Sequence, residues 1–369
     1  MWYLRRSPTC PPSLSELLPC ECPNVIDRIN QGSDVDVGVP SVTVVIPAFT
    51  MDRWDLMGRA VRSVVHQTRP PEQVIVCIDN NPELLERSTV EWGGLPFGDG
   101  GSVEVIPNEH SDHLEGRGEH IRVHGTSRRF GAGSARNTAV RRARADVVAF
   151  LDDDAEAEDD WLECLVQPYA DSEVVAVGGA PLPRYERRRP DWFPSEFDWV
   201  FGCAYTGLPT SLAPLRHLIG ANMSVRRQAL TDIGGFQSVD FDDMDMCHRL
   251  ANAFPAGRIM YTPDAVVHHF VSANRVSWNY FWRRCFHVNK QKVRAFAEMG
   301  DAANLASERN FVTNVWTRQL YRHLRQFVGG DVNGALQLFA SLVGVSLAAA
   351  GNLAGRISLA LERRSVGGK

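Results

Sequence analysis

Three carboxylates in succession, Asp152, Asp153 and Asp154, follow directly on the apolar run VVAFL. Carboxylates two apart at a strand end can both face one hard divalent cation and still leave room for phosphate oxygens. Such a cation suits the cleavage of a sugar-phosphate ester, because the departing diphosphate gains charge as the bond breaks. Asp152 and Asp154 have that spacing. The acids from Glu156 to Asp160 read instead as a solvated loop, with Asp159 and Asp160 capping a helix that opens near Trp161. A second acidic group, Asp242, Asp243 and Asp245, stands at the start of another helical stretch. Acids there either cap the helix or act as a general base. His268 and His269 follow the short apolar run DAVV. An imidazole can sit beside carboxylates on a metal or be a buried structural group.

These residues need elements to carry them. VTVVIPAF, from Val42, is a β-branched run of the kind that becomes a buried parallel strand, with Pro47 at its end. Leu56, Ala60, Val61, Val64 and Val65 then recur at helical spacing until Pro70 and Pro71. A second buried strand is expected over residues 74–79. Strand, helix and strand in this rhythm predict an α/β fold with a parallel sheet. Residues 91–120 read as a surface insertion broken by VEVIP, and a short strand is expected over 121–124. A helix from Ser134 to Ala145 follows Gly131 and Gly133, and VVAFL leads into the three carboxylates. In open α/β sheets ligands bind beyond the carboxyl ends of the strands, which is where Asp152 to Asp154 fall.

The ordered segments VTVVIPAF, VIVCIDNN, GAGSARNTAV, VVAFLDDD, GANMSVRRQAL, IGGF and FDDMDMCHRL resemble family 2 glycosyltransferases of the GT-A type, over about residues 41 to 290. The aromatic stretch WFPSEFDWVFGC further resembles a subgroup acting on polyprenyl-phosphate-linked sugars. The resemblance implies a GT-A Rossmann-like, mostly parallel sheet flanked by helices, with a C-terminal helical appendage. It implies transfer of a sugar from a nucleotide-diphosphate donor, with UDP the expected nucleotide, to a hydroxyl of a glycan or polyprenyl-linked acceptor. The displacement would be inverting and would need Mn2+ or Mg2+. Position by position, Pro47, Ala48, Phe49, Asp79, Arg136 and Asn137 would line the nucleoside and phosphate pocket, with Asp152 and Asp153 beside them. Asp79 could equally make an Asx turn with Asn80 and Asn81. Asp243 matches the catalytic base. The family usually has Glu where this chain has Asp242, which leaves open which of the pair faces the acceptor. The metal shell would be Asp152, Asp154 and His268, with His269 covering the pocket. Trp192, Trp199 and Asn222 are expected on the acceptor side.

Two alternatives, a sugar-phosphate nucleotidyltransferase and a non-catalytic sugar-nucleotide or glycan binding protein, have sequence features counting against them. A sugar-phosphate nucleotidyltransferase would carry a glycine-rich basic loop after the first strand, but IPAFTMDRWD has no glycine before Gly58. A dehydrogenase would show GxGxxG there. A non-catalytic glycan-binding relative would have no need of the Asp154, Asp243 and His268 set. The net charge of -5 gives no basic field for nucleic acid. The eight cysteines are too scattered for a disulfide scaffold, and MWYLRRSPTCPP has no apolar core of a secretory signal. A cytoplasmic catalytic face is the expectation, and Cys10, Cys20 and Cys22 read as tail residues.

Four regions are expected in all: a proline-rich leader over 1–40, the catalytic domain over 41–275, a basic helical segment over 276–330 and an apolar helix with its tail over 331–369. The basic segment includes Arg283, Arg284, Lys290, Lys292, Arg318, Arg322 and Arg325. The apolar stretch, about 334 to 351, is marginal in length for a membrane crossing, so crossing, interfacial and buried placements all stay open. Both segments together predict a protein on the cytoplasmic face of the cell membrane, peripheral or with one C-terminal apolar helix, and the resemblance implies a role in cell-envelope polysaccharide biosynthesis.

Overall fold

The computed structural model describes residues 39–98, 100–109, 131–238, 241–298 and 311–366. Cys10, Cys20, Cys22, His110, His113, His120, His124 and the strand expected over 121–124 lie outside the described residues, as does all but the end of the leader. The central strand β1 (Val42–Ala48) is buried at every position, as an apolar β-branched run must be when both faces are covered. It pairs in parallel with β2 (Gln73–Ile78) on one side and β5 (Val147–Leu151) on the other. Beyond β2 lie parallel β4 (Gly101–Pro107) and the short antiparallel β3 (Pro96–Phe97). Beyond β5, β9 (Asn222–Arg226) enters antiparallel between β5 and β7 (Val174–Tyr185). The strand β10 (Arg258–Val271) runs parallel to β7. It also takes β6 (Ala155–Ala157) and β8 (Ala213–Pro214) as antiparallel partners. The half of the sheet through β4, β2, β1 and β5 is therefore parallel, as expected. The other half is mixed, because β9 follows a chain reversal and not a crossover helix.

Helices cover both faces. Successive β1 side chains point to opposite sides. Val44 and Ile46 pack with Met57, Val61 and Val64 of α1 (Trp54–Val65) and with Trp161 and Leu165 of α4 (Trp161–Val166). The helix α2 (Pro82–Trp92) contributes Leu84 and Trp92 to this layer. Val45 faces the other way, with Val148 and Phe150, towards Ala135 and Ala139 of α3 (Ala132–Arg142). Leu230 of α5 (Arg227–Asp232) and Met246 and Leu250 of α6 (Asp242–Ala253) complete that layer.

A third core is aromatic. Phe193, Phe197 and Phe201, from the segment around the 3-10 turns at Ser195–Phe201, pack with Phe281 and Cys285 of α7 (Trp278–Glu298) and with Ala340. Ala340 belongs to α9 (Val332–Val366), which follows α8 (Thr317–Val328) after a turn at Gly329 and Gly330. The apolar stretch expected over 334–351 is thus the core of a longer, 35-residue helix. From Val39 onwards the chain forms one compact unit, so this helical part is packed on the α/β body.

Candidate functional site

Two neighbouring parallel strands, β1 and β2, each hand the last carbonyl to the residue just past the end of the next strand over. The Asp79 amide donates to the Ala48 carbonyl at 2.7 Å, and the Asn108 amide donates to the Ile78 carbonyl at 2.8 Å. Asp79 is 4% exposed and accepts from Asn108 Nδ2 at 2.8 Å and from the Gly131 amide at 3.1 Å. Its neighbour Asn80 has a φ of 46°, in the left-handed region that Asn tolerates. The Asn81 side chain accepts from the Leu84 amide at 3.0 Å and so caps α2. The turn chemistry after β2 thus falls to Asn80 and Asn81, and Asp79 faces the start of α3. Pro47 and Ala48 close β1 beside it, with half-buried Phe49 following.

Asp152 begins where β5 stops, and Asp154 is brought against β10 by strand pairing: the Phe270 amide donates to the Asp154 carbonyl at 2.8 Å. In the β6–β10 register His268 stands opposite Glu156 and His269 opposite Ala155. Adjacent strand residues face opposite ways, so only one histidine can meet the acids. It is His269. Its Nε2 lies 3.2 Å from Asp154 Oδ1, and it is 5% exposed. His268 turns outward to Glu158 at 2.9 Å. This corrects the expectation that His268 completes the acidic cluster. Valines precede both histidines, so alternation alone could not separate them.

Asp152, Asp154 and His269 each offer an atom within 4.8 Å of the other two. Asp154 Oδ1 is buried and makes no hydrogen bond of good geometry, so this donor set fits a hard divalent cation. Around it, Asp152, Asp153, Asp154, Asp242 and Asp243 stand against Arg53 and Arg136, an excess of negative charge suited to a cation. Arg53 reaches Asp153 Oδ1 at 2.7 Å and Asp154 Oδ2 at 3.1 Å. Burial works against its charge, and the two carboxylates more than offset it, so its pKa is raised. Burial pushes the Asp153 carboxyl up to about 7, with the Arg53 charge opposing it. Asp153, expected to face the nucleotide, is instead 3% exposed and committed to Arg53. Burial also opposes the charge on Asp154, but the adjacent His269 at 3.2 Å, with Arg53, outweighs it and lowers that pKa. On His269 burial opposes the proton, and Asp154 with Cys203 outweighs it, raising the group to about 10. Cys203 Sγ lies 3.4 Å from His269 Nδ1, which ties the aromatic segment to this cluster.

Arg136 connects the cluster to α6. Buried at 3% exposure, it donates to Asp242 Oδ2 at 2.6 Å, to Asp152 Oδ1 at 3.0 Å and to the Gly220 carbonyl at 3.1 Å. Burial opposes its charge, but Asp242, Asp152 and Asp243 raise its pKa well above the ordinary arginine value. Asp243, next to Asp242 in the first turn of α6, accepts from the Gly220 amide at 3.0 Å and from the Met244 amide at 2.7 Å. Burial, then the neighbouring Asp242 charge, lift its carboxyl to about 6. Phe241, just before α6, has a φ of 60°, a strained value for a large side chain.

Other expected site residues have different partners. Asn137 does not face the cluster with Arg136. Its side chain accepts from the Phe236 amide at 2.8 Å and donates to the Phe236 carbonyl at 2.7 Å, so it clamps the GGF turn. Asn222 is fully buried, accepts from Trp161 Nε1 at 2.8 Å and donates to the Ala265 carbonyl at 2.8 Å. It is an interior bridge between β9, α4 and β10, which corrects its acceptor-side placement. Trp192 stacks on Trp278 with centroids 3.7 Å apart, and Trp199 lies near Phe197 at 6.0 Å. Sequence reasoning missed Asn108 and Arg53. Asn108 directly follows a strand, as Asp79 does, and that shared position was a usable signal. Arg53 sits in an irregular turn a hundred residues from its acids and gave none.

The pattern of glycosyl transferase family 2 matches residues 97–234. The glucosyl-dolichyl phosphate glucuronosyltransferase of Haloferax volcanii is 27% identical over 255 residues, covering 66% of this chain and 74% of that protein. The pre-mycofactocin glycosyltransferase of Mycobacterium tuberculosis is 30% identical over 228 residues, covering 56% of this chain and 46% of that protein. Among solved structures, a mannosyltransferase from Pyrobaculum calidifontis in complex with GDP-Man and Mn2+ aligns over 92% of this chain and 85% of that one, at 20% identity and a TM-score of 0.48.

Proposed function

The chain is a glycosyltransferase of family 2, and from that premise we propose that it moves a sugar from a nucleotide-diphosphate donor to a hydroxyl of a lipid-linked sugar or growing polysaccharide at the cytoplasmic side of a membrane, with inversion at the anomeric carbon. One observation carries the reading: buried Arg136 joins Asp152 to Asp242, so the cluster suited to a diphosphate-bound cation and the helix start that bears Asp243 share one centre.

Asp152, Asp154 and His269 would hold the divalent cation, which supplies charge neutralisation to the leaving diphosphate. Asp79, at the end of β2, would accept hydrogen bonds from the base or ribose. The acceptor oxygen attacks the anomeric carbon, the bond to the β-phosphate oxygen breaks, and the nucleoside diphosphate leaves with the electron pair. Asp243 takes the acceptor proton. Its carboxyl is suited to this, because burial and Asp242 bring it to about 6. Asp242 is held as the anionic partner of Arg136, which supports the reading of Asp243 as the base and Asp242 as the structural acid. The aromatic wall from Trp192 to Cys203 borders the cluster through Cys203 and would face the acceptor.

The test is a donor screen with purified protein, manganese or magnesium, and a membrane extract as source of acceptor. Release of nucleoside diphosphate from one of the UDP, GDP or dTDP sugars, stimulated by the extract, is the expected result. No consumption of any of them with either metal would overturn the reading.

A further inference from the structure

The α8–α9 hairpin has two unlike faces. One is locked to the body. Gly344 packs against Phe197 and Phe281, and a side chain at Gly351 or Gly355 would collide with the α7 backbone at Phe286 or Lys290. Ser341 donates to the fully buried Glu196, and His323 of α8 meets the same carboxylate at 3.1 Å. The other face is bare. Tyr321, Leu324, Phe327 and Val328 on α8, and Val332, Leu336, Phe339, Leu342, Leu353, Ile357 and Leu361 on α9, are 41–79% exposed. On α9 these residues recur at three- and four-residue steps from Val332 to Leu342 and again from Leu353 to Leu361.

Charge goes with this face. Arg318, Arg322 and Arg325, all exposed, form a stripe at helical spacing that runs beside Tyr321, Leu324 and Val328. Between residues 317 and 366 the sequence has six arginines against Asp331 and Glu362, in a chain whose net charge is -5. A basic edge beside an exposed apolar stripe is the pattern of a helix lying in the headgroup plane, with aliphatic side chains in the acyl boundary and arginines at the phosphates.

A crossing does not fit the same observations. At about 1.5 Å per residue the 35-residue α9 is far longer than the roughly 30 Å hydrocarbon layer. Its middle is also bound to α7, whose exposed Arg283, Arg284 and Lys290 would have to enter that layer with it. We propose that the α8–α9 hairpin docks flat on an anionic lipid bilayer, through Tyr321, Leu324, Leu336, Phe339, Leu353 and Ile357, with Arg318, Arg322 and Arg325 on the headgroups. It deepens the reading above, resting on it for the site of the acceptor, and brings the centre of Asp152 and Asp243 to a lipid-linked substrate without a membrane span.

The experiment is co-sedimentation of the full chain with vesicles of phosphatidylcholine, alone or with phosphatidylglycerol, scored without donor, metal or turnover. A failure here therefore leaves the transferase reading intact, and a failed donor screen leaves this result intact. Binding to the phosphatidylglycerol vesicles, weakened by salt and stripped by alkaline carbonate, is expected. Arg318→Glu with Arg322→Glu should weaken partitioning by about thirtyfold or more, from the loss of two headgroup charges. Phe339→Asp with Leu353→Asp should abolish it, and unchanged melting of these surface variants would show that they still fold. Equal binding to both vesicle types, or carbonate-resistant insertion, would overturn the proposal. So would variants that bind vesicles normally but turn a dimer into a monomer, since the face would then be covered by a second copy.

Discussion

At the scale of the residue, the centre is a balance of carboxylates around the buried Arg136 and half-buried Arg53 guanidiniums, and each acid's role follows from its partner. Among the described residues Asp243 has backbone donors only, so its carboxylate is available to take a proton, whereas Asp242 is bound to Arg136. A general base contributes on the order of a hundredfold to ten-thousandfold, so Asp243→Asn should lower kcat by that factor with donor KM retained. Asp242→Asn should instead disturb Arg136 and change donor affinity as well. Because Asp243 acts when ionised and sits at about 6, kcat should fall as pH drops through that value and level off above it. The residual activity of Asp243→Asn should lack this limb. The histidines give a second contrast. His269→Ala should weaken manganese binding, read by calorimetry, while His268→Ala should leave it unchanged, since its partner is the exposed Glu158. Chelator should abolish turnover in the parent enzyme, and manganese or magnesium should restore it. Full activity in excess chelator would remove the cation from the account.

At the scale of the element, the site depends on where strands stop. β1, β2 and β5 end on one edge of the sheet, and α3 and α6 present their first turns to that edge, where Arg136 bridges them. Asn137 and Arg249 hold the intervening GGF turn: Arg249 donates to the Ile233 carbonyl at 2.5 Å and to the Gly235 carbonyl at 2.6 Å. Gly235 has a φ of 71°, and its missing side chain leaves room for the Asn137 amide. Asn137→Ala should therefore lower donor affinity through α6, with little change in metal binding. In the appendage, contact between α7 and α9 needs glycine at position 351. Gly351→Val overpacks that contact at a cost of about 1–3 kcal/mol. The expected outcome is a lower thermal midpoint and faster proteolysis in residues 311–366, with donor hydrolysis in the α/β body retained. Loss of both together would mean that the appendage is part of the folding core.

At the scale of the whole molecule, an acidic catalytic body carries a basic, apolar hairpin of the opposite character. Charge on exposed groups is screened over about 8–10 Å at physiological salt, while the buried centre is screened much less. Transfer to an acceptor embedded in anionic vesicles should therefore decline as salt rises from low to moderate strength. Hydrolysis of the donor without acceptor should hold steady over the same range. If both declined together, salt would be acting on the catalytic centre and not on docking.

The division between sequence and structure follows from the range of the forces involved. Periodicity, β-branched runs and the ordered motifs determined the parallel half of the sheet, the acids at the end of β5 and the helix start with Asp242 and Asp243, because these are local patterns imposed by burial and capping. The long apolar helix was legible for the same reason. Which histidine meets the acids was decided by the β6–β10 register, since a shift of one residue exchanges the faces of a strand. That Arg53 takes Asp153, that Asn222 is interior and that Arg136 spans two carboxylates were decided by contacts between residues 16 to 106 positions apart. The placement of α9 likewise came from packing. Its composition suits a span, an interface or a core, and only the fit of its glycines against α7 leaves one face bare.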